Sequence, residues 1–211
     1  MLTVHHLNNS RPQRILWLLE ELGLEYQLKT YQRDPESNLA PPELEQIHPL
    51  GKSPVLTDDA ATIIESGAII DYILRHYGAG RLQPEQGTHG YEQYLQWLHY
   101  AEGSAMLPMM LRMYTARLGD AGEPLQPRIS DELQRHLGYI ENALQGVDWL
   151  VDNCFSGADI QLSFMVEITP LLYSQEALPN ITVYRQRLQQ RPAYRAALER
   201  GGFYAYGSDT A

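Results

Sequence analysis

The sequence has a single cysteine, Cys154, among its 211 residues. One thiol cannot form an internal disulfide, and it cannot supply the two thiols of a C-x-x-C redox motif. The chain is also poor in positive charge, because 16 lysines and arginines stand against 26 acidic residues, for a formal net charge of −10. This balance argues against non-specific binding to nucleic acid or to an anionic membrane, since both require a basic surface.

Long hydrophobic runs are absent as well. No apolar run approaches the roughly 20 residues that a membrane-spanning helix needs. Residues 1–6 have neither the basic segment nor the long apolar segment of a signal peptide, so we expect a cytoplasmic protein without membrane or nucleic-acid partners. The seven histidines show no metal-ligand spacing, and no metal is expected. His5 and His6 are neighbours in a predicted strand, where their side chains point to opposite faces.

The first third of the chain predicts a small α+β domain, residues 1–79. Short apolar runs with β-branched members alternate with helical stripes and are separated by turn residues. The predicted order is β-α-β-α-β-β-α. The segments are strand 2–7, helix 12–22, strand 26–31, a short helix 42–47, strands 55–57 and 62–64, and helix 66–77.

The remainder predicts an all-helical domain, residues 91–211, after a glycine-rich linker at residues 80–90. No segment after the linker alternates as a strand does. The predicted helices cover residues 91–118, 129–144, 156 toward 172, 179–190 and 192–200.

Pro54 stands at the start of an apolar strand, a place where the missing N–H of proline is tolerated. A tight entry there often needs a cis peptide bond, which would turn nearby backbone groups toward an extended peptide. Ser66 follows the next strand as the expected N-cap of a helix, whose first N–H groups attract a carboxylate. These residues predict a peptide-pairing edge beside an anion pocket. An ordinary hairpin followed by a capped helix is the alternative.

Four segments give the chain a resemblance to the cytosolic glutathione transferases. Residues 10–14, Ser-Arg-Pro-Gln-Arg, resemble the S-x-P-x-R start of the serine-type classes. Residues 48–56 resemble the N-P-x-G-x-[VIS]-P-x-L segment, with His48 where asparagine is usual. Residues 65–69 match E-S-x-A-I, and residues 156–159 match the S/T-x-x-D box. The resemblance implies a thioredoxin-like domain followed by a helical domain, and residues 99–104 further resemble a bacterial and fungal subgroup.

Glutathione is the co-substrate that this resemblance implies. Free thiols ionise at a pKa of about 8.5, so an enzyme that uses glutathione at neutral pH must stabilise its thiolate. The motif places the Ser10 hydroxyl at the sulfur, as a hydrogen-bond donor to the anion. Asn9 is the alternative donor, because some related groups use an asparagine near this turn. A role for Ser10 only as a helix cap remains open.

The resemblance also assigns contacts for the rest of the tripeptide. Lys52 would reach the glycine carboxylate, and Ser53 with Pro54 would contact the cysteinyl backbone. Ser66 and the helix start behind it would bind the γ-glutamyl carboxylate, and Glu65 would pair with or orient the γ-glutamyl ammonium. A solvated surface position is the alternative for Lys52.

The resemblance implies that the predicted helix from residue 106 lines a second-substrate pocket, through Met106, Met110, Met113 and Tyr114. Methionine side chains adapt to varied apolar electrophiles, although a helical stripe of methionines is more often part of a core. The resemblance also implies a homodimer, in which Glu102 would reach glutathione across the interface, and a solvated helix face is the alternative for Glu102.

The leading function is therefore a detoxifying transferase that conjugates glutathione to small apolar electrophiles. A glutathione-dependent reductase of disulfides or peroxides, and a non-catalytic interaction module of the same fold, are the alternatives. Asp159 of the S/T-x-x-D box is expected to stabilise the helical domain and to take no part in catalysis.

Overall fold

The computed structural model describes residues 1–59 and 61–207, which form two compact units. Along the chain the elements are β1 (Leu2–Leu7), α1 (Pro12–Leu22), β2 (Gln27–Tyr31), α2 (Glu43–Ile47), β3 (Val55–Asp58), β4 (Ala61–Ile64), α3 (Ser66–Tyr77), α4 (His89–Tyr100), α5 (Met106–Thr115), α6 (Gln126–Ala143), α7 (Gly157–Ile168), α8 (Pro179–Gln189) and α9 (Pro192–Gly201). The predicted fold class, a thioredoxin-like α+β domain followed by a helical domain, is confirmed.

The first unit contains a four-stranded mixed sheet in the order β2-β1-β3-β4. Strand β1 pairs in parallel with β2 and antiparallel with β3, and β3 pairs antiparallel with β4. Strand β1 is almost completely buried, because it lies between two neighbours and under a helix layer. The sheet therefore holds the carboxyl end of β1 at a fixed place, in the middle of one end of the sheet.

Helix α1 is buried on nearly all sides and packs against β1, α3 and α9. Residues 15–19 have no exposed surface, as expected for a helix that must be covered all round. Trp17 meets Tyr194 of α9 edge-on, with 5.2 Å between ring centroids. Beside this contact, the Arg191 guanidinium donates from Nε and Nη2 to the two carboxylate oxygens of Glu21, at 2.5 and 2.8 Å.

Helix α9 thus belongs to the first unit, which comprises residues 1–84 and the described residues from 187 onward. The second unit is residues 85–186, and the change between them falls inside the predicted linker. This differs from the expectation that the helical domain extends over residues 91–211. The apolar outer face of α1 needs cover, but periodicity alone does not show which later helix supplies it.

The second unit is helical, and its long first stretch is less regular than predicted. In place of one helix over residues 91–118, the structure has α4, a π-helical turn at Ala101–Ala105, and α5. A 3₁₀ segment, Ala116–Leu125, follows, in which Gly119 has a φ of 54°. Gly103 and Ser104 favour regular helix weakly, which suits the π-helical turn. Among the described residues, no helix is both long and apolar enough to span a bilayer.

Helix α7 is buried over its whole length, and Asp159 in its first turn has no exposed surface. Its carboxylate accepts hydrogen bonds from the Tyr184 hydroxyl at 2.8 Å and from the Leu150 N–H at 3.1 Å. The backbone N–H and hydroxyl of Ser156 donate to it at 2.8 and 3.1 Å, which completes the predicted capping box. Burial raises the pKa of Asp159, and these hydrogen bonds oppose that rise.

We predict that Asp159→Ala lowers the free energy of unfolding by about 3 kcal/mol, because it removes a cap and leaves buried donors of Leu150 and Tyr184 unpaired. Thermal unfolding should show a melting temperature lower by roughly 6–12 °C. Asp120→Ala, at an exposed position of the same unit, is the control and should leave the melting temperature unchanged. An Asp159→Ala protein with a normal melting temperature and lost activity would contradict the structural role.

The two histidines of β1 lie on opposite faces of the sheet, as predicted. His5 is hydrogen-bonded through Nδ1 to the Tyr31 hydroxyl at 2.8 Å and contacts the Thr57 hydroxyl through Nε2 at 3.3 Å. His6 is 3% exposed, and its Nδ1 has no partner in the described part of the chain. Burial lowers the pKa of His6 to about 4.

His6 should therefore make the protein sensitive to mild acid. Its folded pKa lies below the unfolded value of about 6.5, so the stability present above pH 6.5 is lost as the pH falls toward 4. Between pH 7 and 5 this loss amounts to about 2 kcal/mol. Denaturant unfolding at both pH values should show a smaller loss in His6→Leu than in the wild type, and the remaining loss comes in part from His5, whose pKa burial also lowers. His99→Leu, at an exposed position, should lose as much as the wild type does.

Candidate functional site

Three chain segments meet at one end of the sheet in the first unit. The antiparallel registers place His5 opposite Val55, and Val55 opposite Ile64. The carboxyl ends of β1 and β4 therefore lie beside the amino end of β3. As a result, the turn at residues 8–11, the segment at residues 51–54 and the start of α3 all extend from this end.

The Ser53–Pro54 peptide bond is cis, which confirms the conformation predicted from the sequence. Ser53 is half-buried and joins this segment to β1 through its side chain. Its hydroxyl donates to the carbonyl oxygen of His5 at 2.7 Å and accepts from the N–H of Leu7 at 3.2 Å. Since the side chain is occupied in this way, only the backbone of Ser53 is left to contact a ligand.

Ser10 is 7% exposed, and its hydroxyl donates to the carbonyl oxygen of Leu7 at 2.7 Å. A serine hydroxyl has one hydrogen, and here that hydrogen points to the main chain. Ser10 is not a side-chain cap of α1 either, because that helix begins after Arg11 without a side-chain cap. For Ser10 to donate to a sulfur anion, its hydroxyl would have to rotate and leave the Leu7 carbonyl unpaired.

Asn9 offers a donor that is not occupied. Its backbone is left-handed, with a φ of 48°, and its side-chain Oδ1 accepts the N–H of Ala205 at 2.8 Å. Because an N–H donor requires the oxygen of the amide, this contact fixes which way the amide is turned. The Nδ2 group therefore points away from Ala205, and it has no hydrogen-bond partner within residues 1–59 and 61–207.

The start of α3 is open to an anion. Glu65, not Ser66, is the N-cap residue, which corrects the expectation that Ser66 caps this helix. Glu65 is exposed and has a φ of 66°, an arrangement that costs of order 1–3 kcal/mol for a residue other than glycine. No side chain caps α3, so the first N–H groups, beginning at the buried Ser66, can bind a carboxylate.

Lys52 adds a positive charge next to this segment. Its side chain is exposed, and no carboxylate pairs with it in the part of the chain that the structure describes. Lys52 and the start of α3 extend from the same end of the sheet, because Val55 pairs with Ile64. The arrangement combines two features that attract carboxylates with a backbone edge, all beside the turn that carries Asn9 and Ser10.

The other candidate residues lie in the second unit. Glu102 is partly buried in the π-helical turn. Met106 is buried in the core of that unit at 3% exposure, and Met110 is half-buried. Met113 and Tyr114 are exposed. The stripe therefore divides between the core and the surface.

Two further segments reach the turn at residues 8–11: the loop after β2, which sequence patterns do not predict to be there, and the tail, residues 202–207 after α9. The side-chain oxygen of Asn8 accepts the N–H of Arg33, from the loop after β2, at 3.0 Å. The tail reaches the turn through Ala205, and its Phe203 is exposed while Tyr204 is buried. The signal for Arg33 is weak, since a lone arginine in a polar loop predicts only a solvated side chain.

Neither Cys154 nor a group of metal-binding side chains lies at this site in the part of the chain that the structure describes. Cys154 is exposed in the second unit, although a lone cysteine is usually buried. Across residues 1–59 and 61–207 there is no group of three histidine, cysteine or acidic side chains that could hold a metal ion.

Comparison with known proteins decides the family. Residues 1–75 match the family model "Glutathione S-transferase, N-terminal domain", and residues 101–192 match "Glutathione S-transferase, C-terminal domain". Glutathione S-transferase 3 of Schizosaccharomyces pombe is 34% identical over 95% of this chain and 88% of its own length. The chain belongs to the glutathione S-transferase family. Glutathione S-transferase 1 of Saccharomyces cerevisiae is 31% identical, over 95% of each chain.

Solved structures of glutathione S-transferases agree with this fold. A glutathione S-transferase from Actinobacillus pleuropneumoniae superposes with a TM-score of 0.89 and 34% identity, over 98% of this chain and 95% of that one. A glutathione transferase from Phanerochaete chrysosporium, whose structure is with oxidized glutathione, has a TM-score of 0.81 over 95% of this chain and 94% of that one. Its identity of 19% shows the shared fold. The N-terminal family model covers all three segments at the end of the sheet.

Proposed function

We propose that this glutathione S-transferase binds reduced glutathione at the end of the sheet described above, and transfers it to small electrophiles. The observation that carries the proposal is the meeting of the backbone edge at Ser53, an uncapped helix start and a lysine without an ion-pair partner in the described chain. A tripeptide with two carboxylates and an exposed backbone needs these three features together.

In this assignment the backbone of Ser53, before Pro54, pairs with the cysteinyl part of glutathione. The N–H groups at the start of α3 and the Ser66 hydroxyl bind the γ-glutamyl carboxylate. Glu65, which is exposed and held at a positive φ, pairs with the γ-glutamyl ammonium. Lys52 reaches the glycine carboxylate as a point charge. The sulfur then lies at the turn that carries Asn9 and Ser10.

The thiolate is stabilised by the amide of Asn9 in this proposal. The hydrogen-bond pattern supports Asn9 over Ser10, since the Ser10 hydrogen is directed to Leu7 while the Asn9 Nδ2 group is open. A hydrogen bond to the charged form lowers the pKa of a thiol. The thiolate attacks an electrophilic carbon, a carbon–sulfur bond forms, and the leaving group departs with the electron pair of its broken bond. The thiol proton passes to solvent.

The proposal extends to further features that the sequence predicts. The chain forms a homodimer in which Glu102 reaches the partner's glutathione, and it works in the cytoplasm as a detoxifying enzyme. Its second-substrate pocket is lined by Met110, Met113 and Tyr114 of α5, whereas Met106 of the same helix lies in the core. Its residues 10–14 resemble the start of the serine-type classes, although we assign the thiolate to Asn9, and the identity to two yeast enzymes and one bacterial enzyme supports a grouping with bacterial and fungal enzymes.

Calorimetry with reduced and oxidized glutathione tests the binding site. Lys52→Gln should weaken the binding of reduced glutathione by about 10- to 100-fold, because it removes one charge-assisted contact. Lys29 is the only other lysine and lies exposed in β2, so Lys29→Gln is a matched control with unchanged affinity. A wild-type protein that binds neither form would contradict the proposal and favour an interaction module.

The reaction itself is tested by two assays with the wild-type enzyme. Conjugation of 1-chloro-2,4-dinitrobenzene should be faster than the uncatalysed reaction, whereas reduction of hydroxyethyl disulfide should be slow. Fast disulfide reduction without conjugation would favour the reductase instead.

The thiolate assignment predicts that Asn9→Ala raises the pKa of enzyme-bound glutathione by about one unit or more, since it removes a donor to the anion. Ultraviolet absorbance of the bound thiolate across pH measures this value. Ser10→Ala should raise it less. If only Ser10→Ala raises the pKa, the serine is the stabilising residue, and if neither does, both assignments are wrong.

A further inference from the structure

The turn at residues 8–10 is held on two sides by segments that bring further side chains to it. Asn8 accepts the N–H of Arg33 at 3.0 Å, and Asn9 accepts the N–H of Ala205 at 2.8 Å. All of these residues belong to the first unit. Arg33 and the neighbour of Ala205, Tyr206, are therefore fixed beside the residues assigned to the sulfur.

Arg33 is partly buried, and its guanidinium donates from Nη1 to the carbonyl oxygen of Asn38 at 3.0 Å. Burial lowers the pKa of Arg33, Tyr206 raises it and Arg11 lowers it, so these two side chains are its ionisable neighbours. Over residues 1–59 and 61–207, no carboxylate forms an ion pair with Arg33. A partly desolvated cation next to a second cation is unfavourable, and a bound anion would relieve it.

This positive charge is unusual for the chain, whose formal net charge is −10. A guanidinium has five N–H groups in a planar fork, and the contact with Asn38 uses only one nitrogen of Arg33. The rest of the fork suits a carboxylate, which it can bind through two parallel hydrogen bonds.

The two carboxylates of glutathione are assigned elsewhere. Lys52 precedes β3 and the start of α3 follows β4, and both of these strands lie on one side of β1. Arg33 follows β2, which lies on the other side of β1. The anion that Arg33 can bind is therefore separated from the tripeptide contacts by the central strand, although it remains next to the turn that faces the sulfur.

We propose that Arg33 binds an anionic group on the second substrate, so that the enzyme prefers electrophiles that carry a carboxylate. This inference rests on the proposed function, because it needs the glutathione sulfur at Asn9 and Ser10. It changes the expectation of a purely apolar second substrate, and it names Arg33 as a residue that determines specificity.

Two related substrates test the preference. In 1-chloro-2,4-dinitrobenzene and 4-chloro-3,5-dinitrobenzoate the thiolate forms a carbon–sulfur bond and chloride leaves, but only the second carries a carboxylate. After division by the uncatalysed rate, kcat/KM of the wild type should be higher for the benzoate. Arg33→Gln should lower kcat/KM for the benzoate by about tenfold or more, mainly through KM, and change the neutral substrate less than about twofold.

Arg75→Gln is the matched control, because Arg75 lies on α3 and pairs with Asp71 at 2.7 Å. It should leave the ratio between the two substrates unchanged. High salt should lower the benzoate rate of the wild type more than the neutral rate, since screening weakens charge attraction. An equal loss for both substrates in Arg33→Gln would mean that Arg33 acts on the sulfur, and it would overturn the inference.

A binding measurement separates this inference from the proposed function. If the wild type conjugates neither substrate, the proposed function fails. Calorimetry with 3,5-dinitrobenzoate, which has no halide to lose, still measures binding of the carboxylate at Arg33. The wild type and Arg75→Gln should bind it about tenfold or more tightly than Arg33→Gln does. Equal affinity in all three proteins would overturn the inference.

Discussion

The backbone of Leu7 is the point on which the candidate site depends. Ser53 accepts the N–H of this residue, and Ser10 donates to its carbonyl oxygen. Two hydroxyls from distant parts of the sequence thereby join the cis-proline segment and the start of α1 to the end of one buried strand. Polar groups at a strand end need partners when they are buried, so the same contacts that satisfy Leu7 also set the positions of the ligand-facing segments.

Fixing the backbone in this way separates residues that build the site from residues that are open to a ligand. Ser53 and Ser10 have hydroxyls that the protein itself uses, whereas the amide of Asn9, the ammonium of Lys52 and the first N–H groups of α3 are not used in the described chain. A sequence motif contains both the residues that hold the site together and the residues that are open to a ligand, and it does not distinguish between them. Hydrogen-bond direction is the basis on which we propose Asn9 as the residue that stabilises the thiolate.

Much of the fold could be predicted, because short-range signals determine it. Proline at a strand entry, glycine after a helix and the two periodicities give the strand and helix order, the cis bond before Pro54 and the capping box at Asp159. The position of α9, the direction of the Ser10 hydroxyl and the approach of Arg33 to the turn could not be predicted. Each depends on contacts between residues far apart in sequence, and no local pattern encodes them.

Helix α9 has a consequence for how the protein is made. The sheet and α1 are synthesised first, but Tyr194 and Arg191, which cover Trp17 and pair with Glu21, are synthesised after the whole helical unit. The first unit therefore cannot complete its packing while the ribosome is still translating the second. Domains generally fold in the order of synthesis. In this chain the helical unit, residues 85–186, is complete before α9 is made, so it can fold before the first unit does.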